Sequence, residues 1–474
     1  MWFDCVCPRR RCRVPRSIKR DRRGSGNVAD VAKKKNIVAA VRKNVMGYVC
    51  KIIVSLQVAT NIMKHRYSSF IALLFGLLLM GMFSTTQAQV DELRGISDRV
   101  GLSRIYQQRK PAETAKSQGH GLSTDTATFY RQRLYAPGDY GSANWRIPAL
   151  CALPDGSLLA VNDKRKFNEG DLPQDIDIMA RRSTDNGRTW SEPVTIVEGK
   201  GMKKGFGDPA LVVTEKGEVI CVFVGGNGLW QSTVEEPLRS YVCRSSDGGF
   251  TWSEPEDITF QLWGKLAKNP TCTSYTASFF ASGNGLRLTR GPHKGRIMFA
   301  AAMRRANEWA LDNFIVYSDD DGQTWQVSDC AFRGGDEAKL VELVDGRVLI
   351  SVRQDGARGF NISEDGGVHW GTQHYWWDMQ TNACNGDMIR LSDTDQGGEQ
   401  NVLMHSITNS MNREKVSVFF SYDEGKTWQD PLLLFNGPSV YSSLTVLPDG
   451  SVGAYIEQNP NGACELWFIN IPKK

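Results

Sequence analysis

Residues Ser183–Trp190 read S-T-D-N-G-R-T-W, and the pattern S-x-D-x-G-x-T-W returns at Ser245–Trp252 (SSDGGFTW), Ser318–Trp325 (SDDDGQTW) and Ser421–Trp428 (SYDEGKTW). A fifth copy, Ser363–Trp370 (SEDGGVHW), carries His369 in place of the threonine. A short Asp side chain can accept backbone N–H groups across a tight turn, and glycine permits the positive φ that such a turn needs. The tryptophan gives each turn a large apolar anchor to bury. Successive copies lie 62, 73, 45 and 58 residues apart, which suits units of four short strands with loops of variable length. One identical turn per unit is what a radially repeated β-propeller requires.

The sequence between the repeats agrees with this reading. Ser157–Asn162, Val219–Val224, Arg296–Ala301, Arg347–Val352 and Ser451–Ile456 are short apolar runs, often β-branched, bounded by Gly, Asp and Pro. From Phe129 to Ile471 helical periodicity is almost missing, which predicts an all-β chain. The five turns resemble the Asp-boxes, or BNR repeats, of sialidase-like propellers, and the resemblance implies six blades. Asp-boxes are structural and also occur in propellers that are not sialidases, so their carboxylates are not candidates for chemistry. Function has to be read from the residues between them.

The formal charge of +5 averages two unlike parts. Residues 1–88 hold 17 Lys/Arg against 3 Asp/Glu, and the remainder holds 40 against 49. The body is mildly acidic and lacks the basic footprint of a nucleic-acid binder. From Met63 the chain reads M-K-H-R-Y-S-S-F-I-A-L-L-F-G-L-L-L-M-G-M-F-S-T-T-Q-A-Q, a positive start, an apolar run over 70–83 and a polar exit. That plan predicts a secretory signal peptide over 63–88, cleaved near Ala88. It implies an exported protein (periplasmic, cell-surface or extracellular), which would meet the membrane only if the segment stayed uncleaved. The basic residues 1–62 read as an upstream extension, with translation expected to start at Met63. Residues 89–128 read as a polar lead-in, and 129–474 as the propeller.

Seven of the 11 cysteines follow Ala88: Cys151, Cys221, Cys243, Cys272, Cys330, Cys384 and Cys464. They are scattered, odd in number and free of C-x-x-C spacing, so they read as buried small hydrophobes rather than a disulfide framework or a zinc site. The six histidines are equally dispersed. No metal or cofactor is implied.

Several motifs resemble those of the bacterial-type exo-α-sialidases of glycoside hydrolase family 33, and together they span residues 129–471. Asn144-Trp145-Arg146-Ile147-Pro148 resembles the R-I-P motif, whose arginine implies a carboxylate clamp. Asp163-Lys164-Arg165 resembles the D-x-R that follows it, with Arg165 framing the substrate's O4 side. Asp171, in Glu169-Gly170-Asp171-Leu172-Pro173, stands where the family has its acid/base aspartate; Asp175 and Asp177 compete with it. Gly207-Asp208-Pro209 resembles the D-P element whose aspartate faces O4. Trp230, after Gly225-Gly226-Asn227-Gly228, is a candidate wall for the C5 acyl group, or else a core or rim tryptophan.

The stretch D-E-A-K-L-V-E-L-V-D-G-R-V-L-I-S-V-R, Asp336–Arg353, resembles the family's N-E-A-x-V-V-E-L-x-D-G-x-L-x-x-x-x-R. It implies Glu337 as partner of a tyrosine nucleophile and Arg353 as a second clamp arginine. Burying a glutamate unpaired before an apolar strand is costly, which also favours a functional role for Glu337. Glu342 is the alternative acid; its place in the strand alternation suggests that it faces solvent. Arg413, eight residues before Ser421, resembles the third clamp arginine. Ser439-Val440-Tyr441-Ser442-Ser443-Leu444 resembles A-Y-S-D-L, with Tyr441 as nucleophile and Ser443 where the family has Asp. Tyr422 is a box residue, and Tyr455 reads as structural.

The chemistry explains the residue types. Sialic acid carries a carboxylate on its anomeric carbon, which calls for permanently charged, fork-shaped guanidinium groups. The same carboxylate would repel an Asp or Glu nucleophile, and sialidases with their tyrosine depart from the two-carboxylate scheme. The resemblance therefore implies a retaining exo-α-sialidase acting on sialylated glycans (glycoproteins, gangliosides and oligosaccharides). An intramolecular trans-sialidase or sialyl transferase would share the residue set, and a non-catalytic Asp-box propeller would bind glycans without needing the Tyr441–Glu337 pair.

Overall fold

The computed structural model describes residues 119–474; the extension 1–62, the signal segment 63–88 and the lead-in up to residue 118 lie outside the described residues. Six small sheets form a ring of blades, as the repeat implies: four are four-stranded and antiparallel, while that of blade 2 has five strands and that of blade 3 has six. Blade 1 holds strands Asn144–Ala152, Leu158–Arg165, Ile176–Ser183 and Val194–Val197. Blade 2 begins Phe206–Val213, Val219–Gly226 and Leu238–Ser245, and blade 3 begins Tyr275–Phe280, Ile297–Arg305 and Leu311–Ser318. Blade 4 runs from Ala338–Glu342 through Val348–Val352 and Asp355–Ser363 to His374–Asn382. Blade 5 runs from Asp387–Ser392 through Val402–Thr408 and Val416–Ser421 to Gln429–Leu433.

Blade 6 closes the ring. It takes Ser439–Val446, Val452–Gln458 and Glu465–Ile471 from the end of the chain and Tyr130–Tyr135 from its beginning, with Tyr130 opposite Asn470. Residues before Phe129 extend the contact: Leu122 bridges Lys473 beyond the last strand of blade 6, and the His120 ring stacks on Phe420 of blade 5 at 3.9 Å.

The core is six apolar layers, one between each pair of neighbouring blades, rather than one central mass. This explains why inner strands read as unbroken apolar runs instead of alternating with polar residues. In Val219–Val224, residues Ile220, Val222 and Val224 pack towards blade 3, while Val219, Cys221 and Phe223 pack towards blade 1. Cys151 and Cys243 share that second layer. Six of the seven cysteines are buried and Cys330 is half-buried, all as free thiols.

Each Asp-box links the third strand of its blade to the fourth in blades 1 to 5. In the first, Asp185 accepts the Thr189 N–H at 2.8 Å and its hydroxyl at 2.6 Å, and the Gly187 N–H donates to Ser183 Oγ at 2.9 Å. The same bonds recur around Asp247, Asp320 and Asp423. At the fifth box His369 Nδ1 takes the place of the threonine hydroxyl, 2.5 Å from Asp365 Oδ2. Burial of the tryptophans is uneven: Trp325 and Trp428 are buried, while Trp190, Trp252 and Trp370 are half-buried and donate to the box glycine's carbonyl.

The box glycine has a second duty. A Cβ built on Gly249 would lie 2.6 Å from Leu159 of blade 1; on Gly322, 2.7 Å from Ile220 of blade 2; on Gly425, 2.5 Å from Leu349 of blade 4. Gly187 and Gly367 meet Phe468 and Met298 of their preceding blades in the same way. The boxes are thus wedges, each seated against the blade before it. Gly249→Ala should therefore destabilise the protein by about 1–3 kcal/mol more than Gly291→Ala. Gly291 also has positive φ but an open surrounding, so urea unfolding of the two variants separates the wedge from the backbone cost, and equal midpoints would contradict the wedge.

Candidate active site

The strand ends opposite the boxes carry the residues singled out in the sequence, and three inner strands are distorted there. Blade 1 slips register between Arg146 and Ala149, blade 2 between Gly207 and Ala210, and blade 6 between Ser439 and Ser442. A bulge re-aims a side chain and frees backbone groups from the ladder. Pro148 and Pro209, each with no N–H to give, occupy two of these bulges. The residues before them, Ile147 and Asp208, have φ of +63° and +57°. Such values are rare for non-glycine residues, most of all for a β-branched one, and mark strain held by the surroundings.

Buried carboxylates take the freed amides. Glu457 accepts the Ile147 N–H at 2.6 Å and the Tyr441 N–H at 3.1 Å, and the same side chain accepts Arg146 Nε at 2.9 Å. Asp163 accepts the Asp208 N–H at 3.2 Å and both Nε and Nη2 of Arg165. Gly207 lets Asp163 come close, since a Cβ there would stand 3.2 Å from its carboxylate oxygen.

A cavity of about 300 Å³ opens above these bulges, lined by Arg146, Asp171, Asp208, Trp230, Asp336, Glu337, Arg353, Arg413 and Tyr441 among others. Eight of the nine residues expected from the sequence thus meet in one place, drawn from blades 1, 2, 4, 5 and 6. The ninth, Arg165, is buried behind the lining and holds Asp171 at 2.7 Å. Of the competitors, Asp175 and Asp177 pair with Lys166, and Tyr455 is buried with its hydroxyl on Asn162. Tyr422 donates to Asp430, outside the cavity. Glu342 differs from expectation: it is buried, because Thr289 and the Arg290 amide at the far end of the strand bind its carboxylate.

Charge within the cavity is strongly organised. Arg146 uses only Nε on a protein partner, and among the described residues its terminal nitrogens have none. Burial lowers its pKa, but Glu457 and Tyr441 outweigh that, so it stays charged. Arg413 donates to the Ala383 carbonyl at 3.3 Å. One nitrogen of Arg353, Nη1, lies 2.5 Å from Glu337 Oε2 and donates to Tyr441 Oη at 2.9 Å. The Arg146 guanidinium sits 5.1 Å from the centre of the Tyr441 ring. Burial and the Glu337 carboxylate push the Tyr441 pKa well up, against the pull of Arg353 and Arg146, so the phenol rests neutral.

The opposite wall and the layer behind it are acidic. Burial raises the Asp163 pKa to about 7 in spite of Arg165. Asp208 too is raised well above the usual carboxylate range, by burial and by Asp163, Asp171 and Glu337. The surroundings of Asp171 favour its neutral form, but Arg165, Arg146 and Arg353 outweigh this and hold it below the usual carboxylate range. At the rim Trp230 (43% exposed) leans on Trp309 (82% exposed), with ring centres 5.1 Å apart.

Sequence reading missed Glu457, Trp309 and Asn385, whose amide donates to Glu337 Oε1 at 3.3 Å. Glu457 carried a signal: a carboxylate inside the apolar run Val452–Gln458 needs a buried partner. Trp309 and Asn385 lie in loops and carried none.

A family profile described as "BNR repeat-like domain" matches residues 156–454. A sialidase from Micromonospora viridifaciens is 34% identical over 346 residues, 69% of this chain and 52% of that protein. A sialidase from Bacteroides fragilis is 28% identical over 351 residues, 68% of this chain and 61% of that one. The chain thus spans between about half and three-fifths of the length of these two relatives. Among solved structures, a Hadza microbial sialidase superposes with a TM-score of 0.63 at 28% identity, covering 72% of this chain and 68% of that one. An intramolecular trans-sialidase from Ruminococcus gnavus, at 18% identity and a TM-score of 0.61 over 72% of this chain and 97% of that one, shares the fold. With that profile covering more than half of its length, this six-bladed chain belongs to the BNR repeat-like domain family, and within it resembles the bacterial sialidases.

Proposed function

We propose that the protein is a retaining exo-α-sialidase that releases terminal sialic acid from exported or surface glycans through Tyr441. One observation carries the reading: Arg146, Arg353 and Arg413 converge from three blades on a cavity in which one Arg353 nitrogen touches both Tyr441 Oη and Glu337. The free guanidinium nitrogens suit a substrate carboxylate. A cavity of about 300 Å³ suits a single acidic sugar rather than a run of residues, which supports exo action. The exposed Trp230–Trp309 pair is placed to meet the next sugar. Export rests on the leader pattern over 63–88.

The mechanism follows in two steps. Tyr441 Oη attacks the anomeric carbon and passes its proton to Glu337, while Asp171 protonates the departing glycosidic oxygen. Water then attacks the same carbon, Asp171 takes its proton, and Tyr441 leaves with the proton returned by Glu337. Two inversions retain configuration. Asp171 is ionised in the empty site because arginines surround it. An incoming carboxylate neutralises two of them, Arg146 and Arg353, which raises the Asp171 pKa and lets it load the proton that it must donate.

With α2,3- and α2,6-sialyllactose the expected product by NMR is free sialic acid; a 2,7-anhydro sugar or a transferred sialoside would replace hydrolysis by transfer. No product at all would favour a glycan-binding propeller. Tyr441→Phe should lower kcat on a fluorogenic sialoside by at least about 100-fold, and full activity would end the tyrosine mechanism. Asp171→Asn should cost about 100-fold or more on sialyllactose but far less on an aryl sialoside, whose leaving group needs no proton. Because protonated Asp171 is the active form, activity falls as pH rises through its pKa. That pKa is lower in the free enzyme, so kcat/KM should fall at lower pH than kcat; coincident limbs would contradict the neutralisation argument.

A further inference from the structure

Arg358, in the third strand of blade 4, is fully buried and forms no ion pair among the described residues. Its Nε donates to Ser351 Oγ at 2.7 Å, its Nη1 donates to the Cys384 carbonyl at 3.0 Å, and its Nη2 has no partner. Ser351 and His405 Nε2 are 2.7 Å apart, and His405 Nδ1 is 3.0 Å from the Ser406 carbonyl. Burial and Arg358 hold the His405 pKa well down, so the ring is neutral and supplies no counter-charge. A neutral ring whose Nδ1–H donates to the Ser406 carbonyl accepts at Nε2 from Ser351, which in turn accepts from Arg358. A lone buried cation is expensive, and the fold keeps this one directly behind the site.

What it grips is the short segment Ala383–Asn385, and each residue there touches a different part of the cavity. The Ala383 carbonyl accepts from Arg413 at 3.3 Å. Cys384 Sγ donates at 3.1 Å to the carbonyl of Val440, the neighbour of Tyr441. Asn385 donates to Glu337 at 3.3 Å. Ala383 is strained, with φ of +55°, and the following Gly386 packs so close to the Ser406 carbonyl that a Cβ there would collide with it. Strain of this kind persists only where neighbours over-determine the backbone.

We infer that Arg358 is a positioning residue for the reaction proposed above, on which this inference rests: through the Cys384 carbonyl it fixes the 383–385 segment that sets Arg413, Glu337 and the backbone beside Tyr441. It touches no substrate. The charge also lies in the field of Glu337, which opposes the effect of burial that takes the Arg358 pKa down to about 10.

The test is Arg358→Met in the full chain, with kinetics on a fluorogenic sialoside, sialic acid binding by calorimetry, and thermal melting. Replacing a buried unpaired charge by an apolar side chain of similar length is often neutral for stability, so a merely structural arginine would leave kcat and KM of the folded protein unchanged. The expected result is a melting temperature near that of the wild type, a kcat lowered between about 10- and 100-fold, as for a misplaced site, and a raised KM. Paired with Arg413→Ala, the double variant should lose less than the product of the two single losses, since both act on one contact. If Arg358→Met does not fold, Asn385→Ala tests the same segment: a lowered kcat with KM unchanged is expected, and wild-type kcat overturns the inference. A wild type that cleaves beside an Arg358→Met of unchanged kcat and KM overturns this inference alone. A wild type that neither cleaves nor binds sialic acid defeats the parent reading and this one with it.

Discussion

The whole arrangement depends on closure of the ring. Tyr130–Tyr135 must travel round six blades to pair with Glu465–Ile471, and only then do blades 6 and 1 become neighbours. Across that seam Glu457 of blade 6 receives Arg146 and the Ile147 amide of blade 1 while also receiving the Tyr441 amide of its own blade. One buried carboxylate thus fixes a candidate clamp arginine and the candidate nucleophile relative to each other. An open sheet of the same blades would hold every motif and no site.

A second regularity governs the electrostatics. Two arginines are backed by carboxylates outside the cavity lining: Glu457 stands behind Arg146, which faces the cavity, and Asp163 stands behind Arg165, which lies beneath it. The backing acids are held by bulge amides, so the distortion that aims each side chain also creates the donors that keep its counter-ion in place. Burying a charge is tolerable because every oxygen has somewhere to go. Arg358 is the departure, with carbonyl and hydroxyl acceptors in place of an acid.

How much of this was legible in the sequence depends on the range of the interactions involved. The Asp-box turn is local: the bonds by which Ser183 and Asp185 shape it reach no further than four residues, so they were readable from the string alone. Its wedge on the preceding blade was not, because Gly187 and Phe468 are far apart in the chain. The motifs around Arg146 and Asp208 were visible through their prolines, whose cause, the bulge, shows only in the paired strand. Glu342 was misjudged because alternation along a strand assumes one wet face, and here both faces of the blade are covered. Asn385 and Trp309 come from loops with no periodicity, and nothing in their neighbours announced where they would point.

The wedges sit at one end of the strands and the cavity at the other, roughly 8 residues or about 25 Å away. Fidelity and variety are therefore demanded of different edges of the same sheet. The box edge tolerates little, since each glycine answers to a particular side chain on the blade before it. The cavity edge is bordered by loops of very unequal length, which absorb the uneven spacing of the repeats. Such a division lets a lineage exchange rims without renegotiating the architecture that holds the arginines.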